Sequence, residues 1–183
     1  VNIILKEGLQ MEPKVILVDL FDNAIGESEK TIAHQTPQLH RAFSVFIYHG
    51  SKMLIQRRAT DKYHCGGLWA NTCCSHPRPN ENTADAAKRR LFEETGISHS
   101  DLRELFSFSY FYAFDNGLYE YEYDHVLVGE YNGNSNHDTK EIEQLLWLDV
   151  KQLMTDMQCN PQKYAPWFLI CAPKVVKYIL ERE

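Results

Sequence analysis

Three histidines and two glutamates are the first candidates for chemistry. His34, His40 and His76 stand apart along the chain, and Glu120-Tyr121-Glu122 sets two carboxylates two residues apart. In a strand alternate residues face the same way, so both carboxylates point to one side. Like charges held that close are costly unless solvated, protonated or bound to a cation. Imidazoles and carboxylates together make divalent-metal sites for zinc, manganese or magnesium. The plainer alternatives are surface or core histidines and an acidic strand edge turned to water.

A second group is Cys73-Cys74-Ser75-His76-Pro77, preceded by Leu68-Trp69-Ala70-Asn71-Thr72. A thiol beside a histidine serves as nucleophile, proton carrier or metal ligand, whereas most free thiols simply pack in a core. A zinc knuckle built from Cys65, Cys73, Cys74 and His76 is a third reading, but it lacks a C-x-x-C pair. The third group is basic: Lys30, Arg58, Lys62 and Arg90. Arg90 and Glu94 share a helical face four residues apart. An arginine there can grip a phosphate oxygen while the glutamate holds a magnesium ion on the same phosphate. An ordinary surface ion pair is the alternative, and it is worth little.

Several elements must position these groups. Lys14 to Leu20 reads as a strand, followed by a polar turn over Asp22 to Glu29. Ala42 to Tyr48 and Lys52 to Arg57 read as strands joined at His49-Gly50-Ser51. Ala59 to Gly67 reads as a loop, and Leu68 to Cys74 as a short strand. Thr83 to Thr95 is the clearest helix, with Asn82 or Thr83 to cap it, Gly96 to end it, and Ala84, Ala87 and Leu91 at helical spacing. Glu104 to Phe114 and Leu118 to Tyr131 form an aromatic-rich hairpin about Asp115-Asn116-Gly117. Glu141 to Asp149 reads as a strand, and Pro166 to Glu181 as a final helix disturbed at Pro173. Strands on both sides of a central helix predict a mixed α/β or α+β domain.

The 183 residues suit one domain, residues 1–183 with a core about 14–168, large enough to fold without disulfide staples. The five cysteines, Cys65, Cys73, Cys74, Cys159 and Cys171, are odd in number, and Cys73-Cys74 is too cramped for an ordinary bridge. A net charge of −6 argues against nucleic acid as a partner, so cations for an anionic ligand must be gathered locally. No apolar run approaches the ~20 residues of a membrane span, and Val1 to Gln10 does not read as a signal peptide. A cytoplasmic protein is expected, as a monomer or weak homodimer.

Ser75 to Ile97 resembles the Nudix box, G-x5-E-x7-R-E-U-x-E-E-x-G-U with U apolar. Glu81, Arg89, Leu91, Glu93, Glu94, Gly96 and Ile97 fit. Ser75 stands for the first glycine, and Arg90 for the glutamate after the arginine. That missing carboxylate helps hold the metal ions of Nudix hydrolases, so the departure points away from pyrophosphate hydrolysis. From roughly Leu17 to Trp167 the chain resembles the isopentenyl diphosphate isomerases, which are Nudix relatives. The resemblance runs through Lys30, His34 and His40, Arg41-Ala42-Phe43-Ser44, and Gln56-Arg57-Arg58-Ala59 with Lys62. It continues through Trp69 to Pro77, Arg89-Arg90-Leu91 with Glu94, Glu120-Tyr121-Glu122, and Tyr164-Ala165-Pro166-Trp167.

This resemblance implies a Nudix-like mixed sheet flanked by helices. It implies that His34, His40, His76, Glu120 and Glu122 ligate one divalent ion, manganese, magnesium or zinc. Glu94 and the backbone carbonyl of Cys74 would place a second ion, Mg2+, against a small-molecule diphosphate gripped by Lys30, Arg58, Lys62 and Arg90, with Ser75 beside it. Cys74 and Glu122 would form the catalytic pair on opposite faces of the carbon skeleton, and Tyr110 would assist proton transfer. Trp69 and Trp167 would line the hydrocarbon end, Trp69 offering its π-face to a carbocation. The Glu122–Tyr110 side is expected to give the first proton and Cys74 to accept the second. Two rival readings are a Nudix pyrophosphohydrolase and a metal-stabilised domain without turnover.

Overall fold

In the computed structural model, which describes residues 12–62, 64–98 and 101–182, β1 (Lys14–Val18) pairs antiparallel with β2 (Ala24–Glu29). The expectation about Val1 to Gln10 lies outside the described residues. The turn between the strands is tied by Asp19, whose Oδ1 accepts from the backbone N–H of Phe21 at 2.8 Å and of Asn23 at 2.9 Å. The stretch expected as a turn over Asp22 to Glu29 is therefore mostly strand. As an exposed edge β2 needs no apolar alternation, so its sequence carries no strand pattern. A short helix, α1 (Lys30–Gln35), follows and sets Lys30 and His34 on one face.

β3 (His40–His49) and β4 (Lys52–Arg58) form the expected hairpin, with Gly50 at φ 51° in the turn. The segment expected as one strand is two, β5 (Trp69–Ala70) and β6 (Cys73–Ser75). Asn71 and Thr72 break it because their side chains are spent on backbone elsewhere. Asn71 Nδ2 donates to the Cys73 carbonyl at 2.6 Å, and Thr72 Oγ1 donates to the Leu54 carbonyl while accepting from Ile47 N–H at 2.9 Å. α2 (Thr83–Thr95) begins and ends as its sequence predicts: Asn82 accepts from Ala84 N–H at 2.9 Å, and Gly96 takes φ 69°. β7 (Arg103–Ala113) and β8 (Tyr119–Glu130) make the aromatic hairpin, and β9 (Ile142–Asp149) follows.

The next helix, α3 (Val150–Cys159), has no counterpart among the sequence-based expectations. Its signal is present, however. Asp149 Oδ1 accepts from Lys151 N–H at 2.9 Å and Gln152 N–H at 3.2 Å, and the buried Val150, Leu153 and Met157 recur at helical spacing. A 3-10 turn (Pro161–Lys163) leads to α4 (Pro166–Leu180), which runs through Pro173 without a break.

β3 is the central strand. It pairs parallel with β8 from His40↔Glu122 to Tyr48↔Glu130, and antiparallel with β6 and β4. Both faces of the sheet are covered, so β3 is nearly all buried. Phe43, Val45 and Ile47 pack with Ala87 and Leu91 of α2 on one face. Phe46 and Tyr48 pack with Phe168, Cys171 and Val175 of α4 on the other. The result is one mixed sheet between helical layers, an α+β domain, as expected. Beside the α4 core, where β3 and β8 begin, polar side chains replace apolar ones on the same face of the sheet.

Candidate active site

Strand alternation decides which side chains meet. Glu120, Glu122 and Asp124 face the side that Val126 and Val128 continue into the α4 core. His40, opposite Glu122 in register, faces the same way. In β6, Cys74 pairs with Ser44 on this face, whereas Cys73 pairs with Val45 and packs against α2. His76, two residues beyond Cys74, returns to the site. The neighbouring cysteines are thus separated by the sheet, as extended chain requires.

The imidazole nitrogens converge. His34 Nδ1 donates to the Lys30 carbonyl and His40 Nδ1 to the Gln38 carbonyl, each at 2.8 Å. Carbonyls only accept, so both rings carry their proton on Nδ1 and turn the Nε2 lone pair inward. His40 Nε2 lies 3.2 Å from His76 Nε2, and Glu122 Oε1 lies 2.9 Å from His76 Nε2 and 3.6 Å from His40 Nε2. Donors about 2.1 Å from an octahedral ion stand about 3 Å apart along each edge, which these separations match. His34, His40, His76 and Glu122 form one donor group within 4.8 Å; His34, His64 and Glu120 form a second. Burial pushes His34 down to about 4 and His76 to about 3, so both are neutral and ready to ligate.

The two glutamates divide a single charge. Burial, reinforced by Glu122, holds Glu120 well above the usual carboxylate range. Burial also opposes ionisation of Glu122, but the His40 and His76 imidazoles beside it outweigh burial and hold that carboxyl low. A divalent cation would let both ionise, so the donor set fits the metal that the resemblance implies.

Cys74 and Tyr110 flank this centre. Tyr110 OH donates to Glu122 Oε2 at 2.8 Å and reaches Glu120 Oε2 at 3.2 Å. Burial raises the phenol well above its ordinary value and pushes the Cys74 thiol up to about 12. The Arg58 guanidinium, with Nη1 3.6 Å from Sγ, works the other way on the thiol. Both groups line one cavity, into which Lys30, Arg58, Lys62 and Arg90 also reach, together with Ser75 and Trp167. The scattered bases of the sequence are gathered as its negative charge demanded.

Trp167 is held by its indole N–H, which donates to Asn71 Oδ1 at 3.0 Å, and the Arg58 guanidinium lies 5.3 Å from its ring centroid. Trp69 is not among the cavity-lining residues; half-buried, it packs against the α4 core, and its backbone bridges to Tyr164. Glu94 is buried, which raises its carboxyl against the pull of Arg90 and of the Cys73 thiol bonded to it. It is not among the cavity-lining residues, but its partner Arg90 is.

Sequence reasoning missed His64, Asp124 and Glu141. His64 Nε2 is 2.8 Å from Glu120 Oε1. Asp124 is buried, accepts from Ser44 Oγ at 2.8 Å, and extends the Glu120–Glu122 alternation by one step, which was the signal for it. Glu141 bonds Lys62 and lies 3.4 Å from Arg90, holding two of the cavity cations. His64 and Glu141 occupy loop or strand-end positions that carry no periodicity.

The α2 segment supplies the structural hallmark of the class. Arg89 grips Glu81 through two bonds of 2.7 and 2.8 Å, pinning the loop before α2 to the helix. The profile of the NUDIX domain matches residues 38–168. Among solved structures, a Deinococcus radiodurans protein superposes with a TM-score of 0.74 at 15% identity, over 88% of this chain and 98% of that one. A MutT NUDIX hydrolase from Burkholderia pseudomallei superposes with a TM-score of 0.62 at 19% identity, over 75% and 98%. These likenesses establish the fold. Sequence relatives narrow the class further. Isopentenyl-diphosphate Delta-isomerase 2 of Aromatoleum aromaticum is 47% identical over 91% of this chain and 88% of its own. The isopentenyl-diphosphate Delta-isomerase of Serratia proteamaculans is 46% identical over 87% and 89%. The chain belongs to the NUDIX family and, within it, to the isopentenyl-diphosphate Delta-isomerases.

Proposed function

We propose that this protein interconverts isopentenyl and dimethylallyl diphosphate by adding a proton to one carbon and removing one from another. The observation that carries the reading is that a thiol, Cys74, and a phenol–carboxylate pair, Tyr110–Glu122, share one cavity with four cations and an indole. Lys30, Arg58, Lys62 and Arg90 bind the diphosphate, and Ser75 lies beside it. Until substrate arrives, Glu141 and Glu94 occupy Lys62 and Arg90. Arg90 is thereby oriented in advance of the phosphate.

The alkene is unactivated, so protonation must precede deprotonation and a tertiary carbocation lies between. The resting proton states support the order opposite to the sequence-based expectation. Burial keeps Cys74 a neutral thiol, and the imidazoles beside it keep Glu122 ionised. Cys74 therefore gives its proton to the terminal methylene carbon, and Arg58 steadies the resulting thiolate. Glu122, with Tyr110, takes a proton from the carbon next to the cation, and the double bond forms there. The reverse reaction exchanges the two roles. The Trp167 indole faces the hydrocarbon and excludes water that would trap the cation as an alcohol.

His34, His40, His76, Glu120 and Glu122 would hold one divalent ion, manganese, magnesium or zinc, and Glu94 with the Cys74 carbonyl would hold Mg2+ for the diphosphate. The first ion would supply positive charge that lets both glutamates ionise beside Tyr110, and the second would neutralise phosphate. Among the described residues no helix is long and apolar enough to cross a membrane. The enzyme is expected to work in the cytoplasm as a monomer or weak homodimer.

Incubation with isopentenyl diphosphate and magnesium in deuterated water, followed by NMR, tests the reading. Deuterium enters a methyl group of the dimethylallyl product. Release of phosphate or pyrophosphate without any isomer overturns it in favour of hydrolysis.

A further inference from the structure

His64 lies outside the ligand set that the resemblance implies, yet it is built into the same centre. It is 8% exposed, and its Nε2 stands 2.8 Å from Glu120 Oε1. The other carboxylate oxygen, Glu120 Oε2, lies 3.9 Å from His34 Nε2. His34, His64 and Glu120 thus form a donor group that shares only His34 with the His34–His40–His76–Glu122 group. His34 commits Nδ1–H to the Lys30 carbonyl and has one nitrogen, Nε2, left for a metal. The two groups therefore cannot hold separate ions through His34 at once. A single ion would be held by the three converging imidazoles, and Glu120 would have to be turned toward them to join the set.

We infer that His64 is a positioning residue of the metal centre: its Nε2–H donates to Glu120 Oε1 and turns Oε2 toward the ion that His34 shares. This rests on the metal reading above. A carboxylate without that anchor is free to rotate between His34 and Tyr110. Partners that orient a ligand in this way typically contribute about 10–100-fold to metal affinity.

The loop between β4 and β5 is shaped to present this ring. His64 stacks on Phe114 with centroids 5.1 Å apart and planes 21° apart, and meets the edge of Trp167 at 6.1 Å and 86°. Its carbonyl accepts from Arg58 Nη2 at 3.4 Å. The next residue, Cys65, adopts φ 51°, a left-handed conformation that costs a non-glycine residue energy. At Gly66 a Cβ would sit 2.5 Å from the Thr60 carbonyl oxygen, so only glycine lets the loop close this tightly. Backbone strain of this kind persists where packing on all sides dictates it. Here the packing delivers one imidazole to Glu120. The same ring touches Trp167, so His64 ties the metal side of the cavity to its hydrocarbon wall.

The test is Mn2+ titration of metal-stripped protein, read by calorimetry and by the electron paramagnetic resonance of free ion. It is paired with X-ray absorption of the Co2+ form to count imidazole ligands. Wild type binds an ion tightly, His64→Ala binds about 10–100-fold more weakly, and the imidazole count does not change. His64→Gln recovers most of the affinity, because its amide N–H replaces the lost donor. Circular dichroism and melting of the stripped variants confirm that each is folded, and if the alanine variant is not, His64→Phe, which keeps a ring between Phe114 and Trp167 but has no donor, carries the test with the same expected loss and the same overturning result. Wild-type affinity in His64→Ala overturns the inference. So does the loss of one imidazole from the Co2+ shell, which would make His64 a ligand itself. A wild-type protein that binds no ion removes the metal reading instead, a result distinguishable from both.

Discussion

Cys73 and Cys74 show how one residue of offset separates the core from the cavity. The Cys74 side chain lines the cavity with Arg58 Nη1 3.6 Å from its sulfur, while Cys73 is fully buried against α2 and bonds Glu94. A serine hydroxyl at position 74 is a far poorer proton carrier than a thiol. Cys74→Ser is expected to lower kcat by about 10²–10⁴-fold while the diphosphate still binds. Cys73→Ser keeps a donor for Glu94, so it should retain most activity and show only a lowered melting temperature. Turnover and thermal melts of both variants decide the matter, together with protection of Cys74 from alkylation by substrate. A fully active Cys74→Ser enzyme would remove the thiol from the mechanism.

At the scale of the element, α2 carries Arg90 and Glu94 on one face and depends on its caps to hold them there. Arg90→Glu restores the hydrolase consensus on paper. In this structure it would set a fourth carboxylate beside Glu93, Glu94 and Glu141. The loss of a charge-assisted phosphate contact, worth about 1.5–3 kcal/mol, predicts a KM raised by about 10–100-fold. Steady-state kinetics check this, and an unchanged KM would return Arg90 to a surface ion pair. Asn82→Ala removes the bond to Ala84 N–H and should cost about 1 kcal/mol, a drop of about 2–4 °C in Tm. Asn82 stands at the start of the helix, away from Arg90, so kcat should change little. A large loss of kcat at unchanged Tm would mean that the cap acts on the site directly.

Across the whole molecule the proposed metal centre would join distant parts of the chain: His34 on α1, His40 on β3, His76 after β6, and the two glutamates on β8. An ion that binds only the folded arrangement stabilises it by mass action, about 2.7 kcal/mol at one hundred times its Kd. Chelation should therefore lower Tm as well as abolish turnover, and a divalent ion should restore both. If chelation left the melting curve untouched, the donors would not be bound together by a metal in solution. The rise in Tm with ion concentration should also be smaller in His76→Ala, which lacks one of the converging nitrogens.

The sequence by itself determined the hairpins and the capped helix α2, and it singled out most of the polar residues that the fold gathers around one cavity. Each is encoded locally, by turn residues, by period or by a motif of fixed spacing. Glu120 and Glu122 face one side because a strand alternates, and Cys73 and Cys74 part for the same reason. Only the tertiary structure decided what depends on distant segments meeting. β2 is a strand because β1 offers it an edge, not because its own residues alternate. Trp167 rather than Trp69 lines the cavity, because Asn71 holds the indole of Trp167 while Trp69 packs against the core. The resting proton states of Cys74 and Glu122 arise from burial and from imidazoles supplied by other elements. His64 reaches Glu120 across 56 positions of sequence through a strained loop, and its relation to that residue exists only once the sheet and α4 have closed around both.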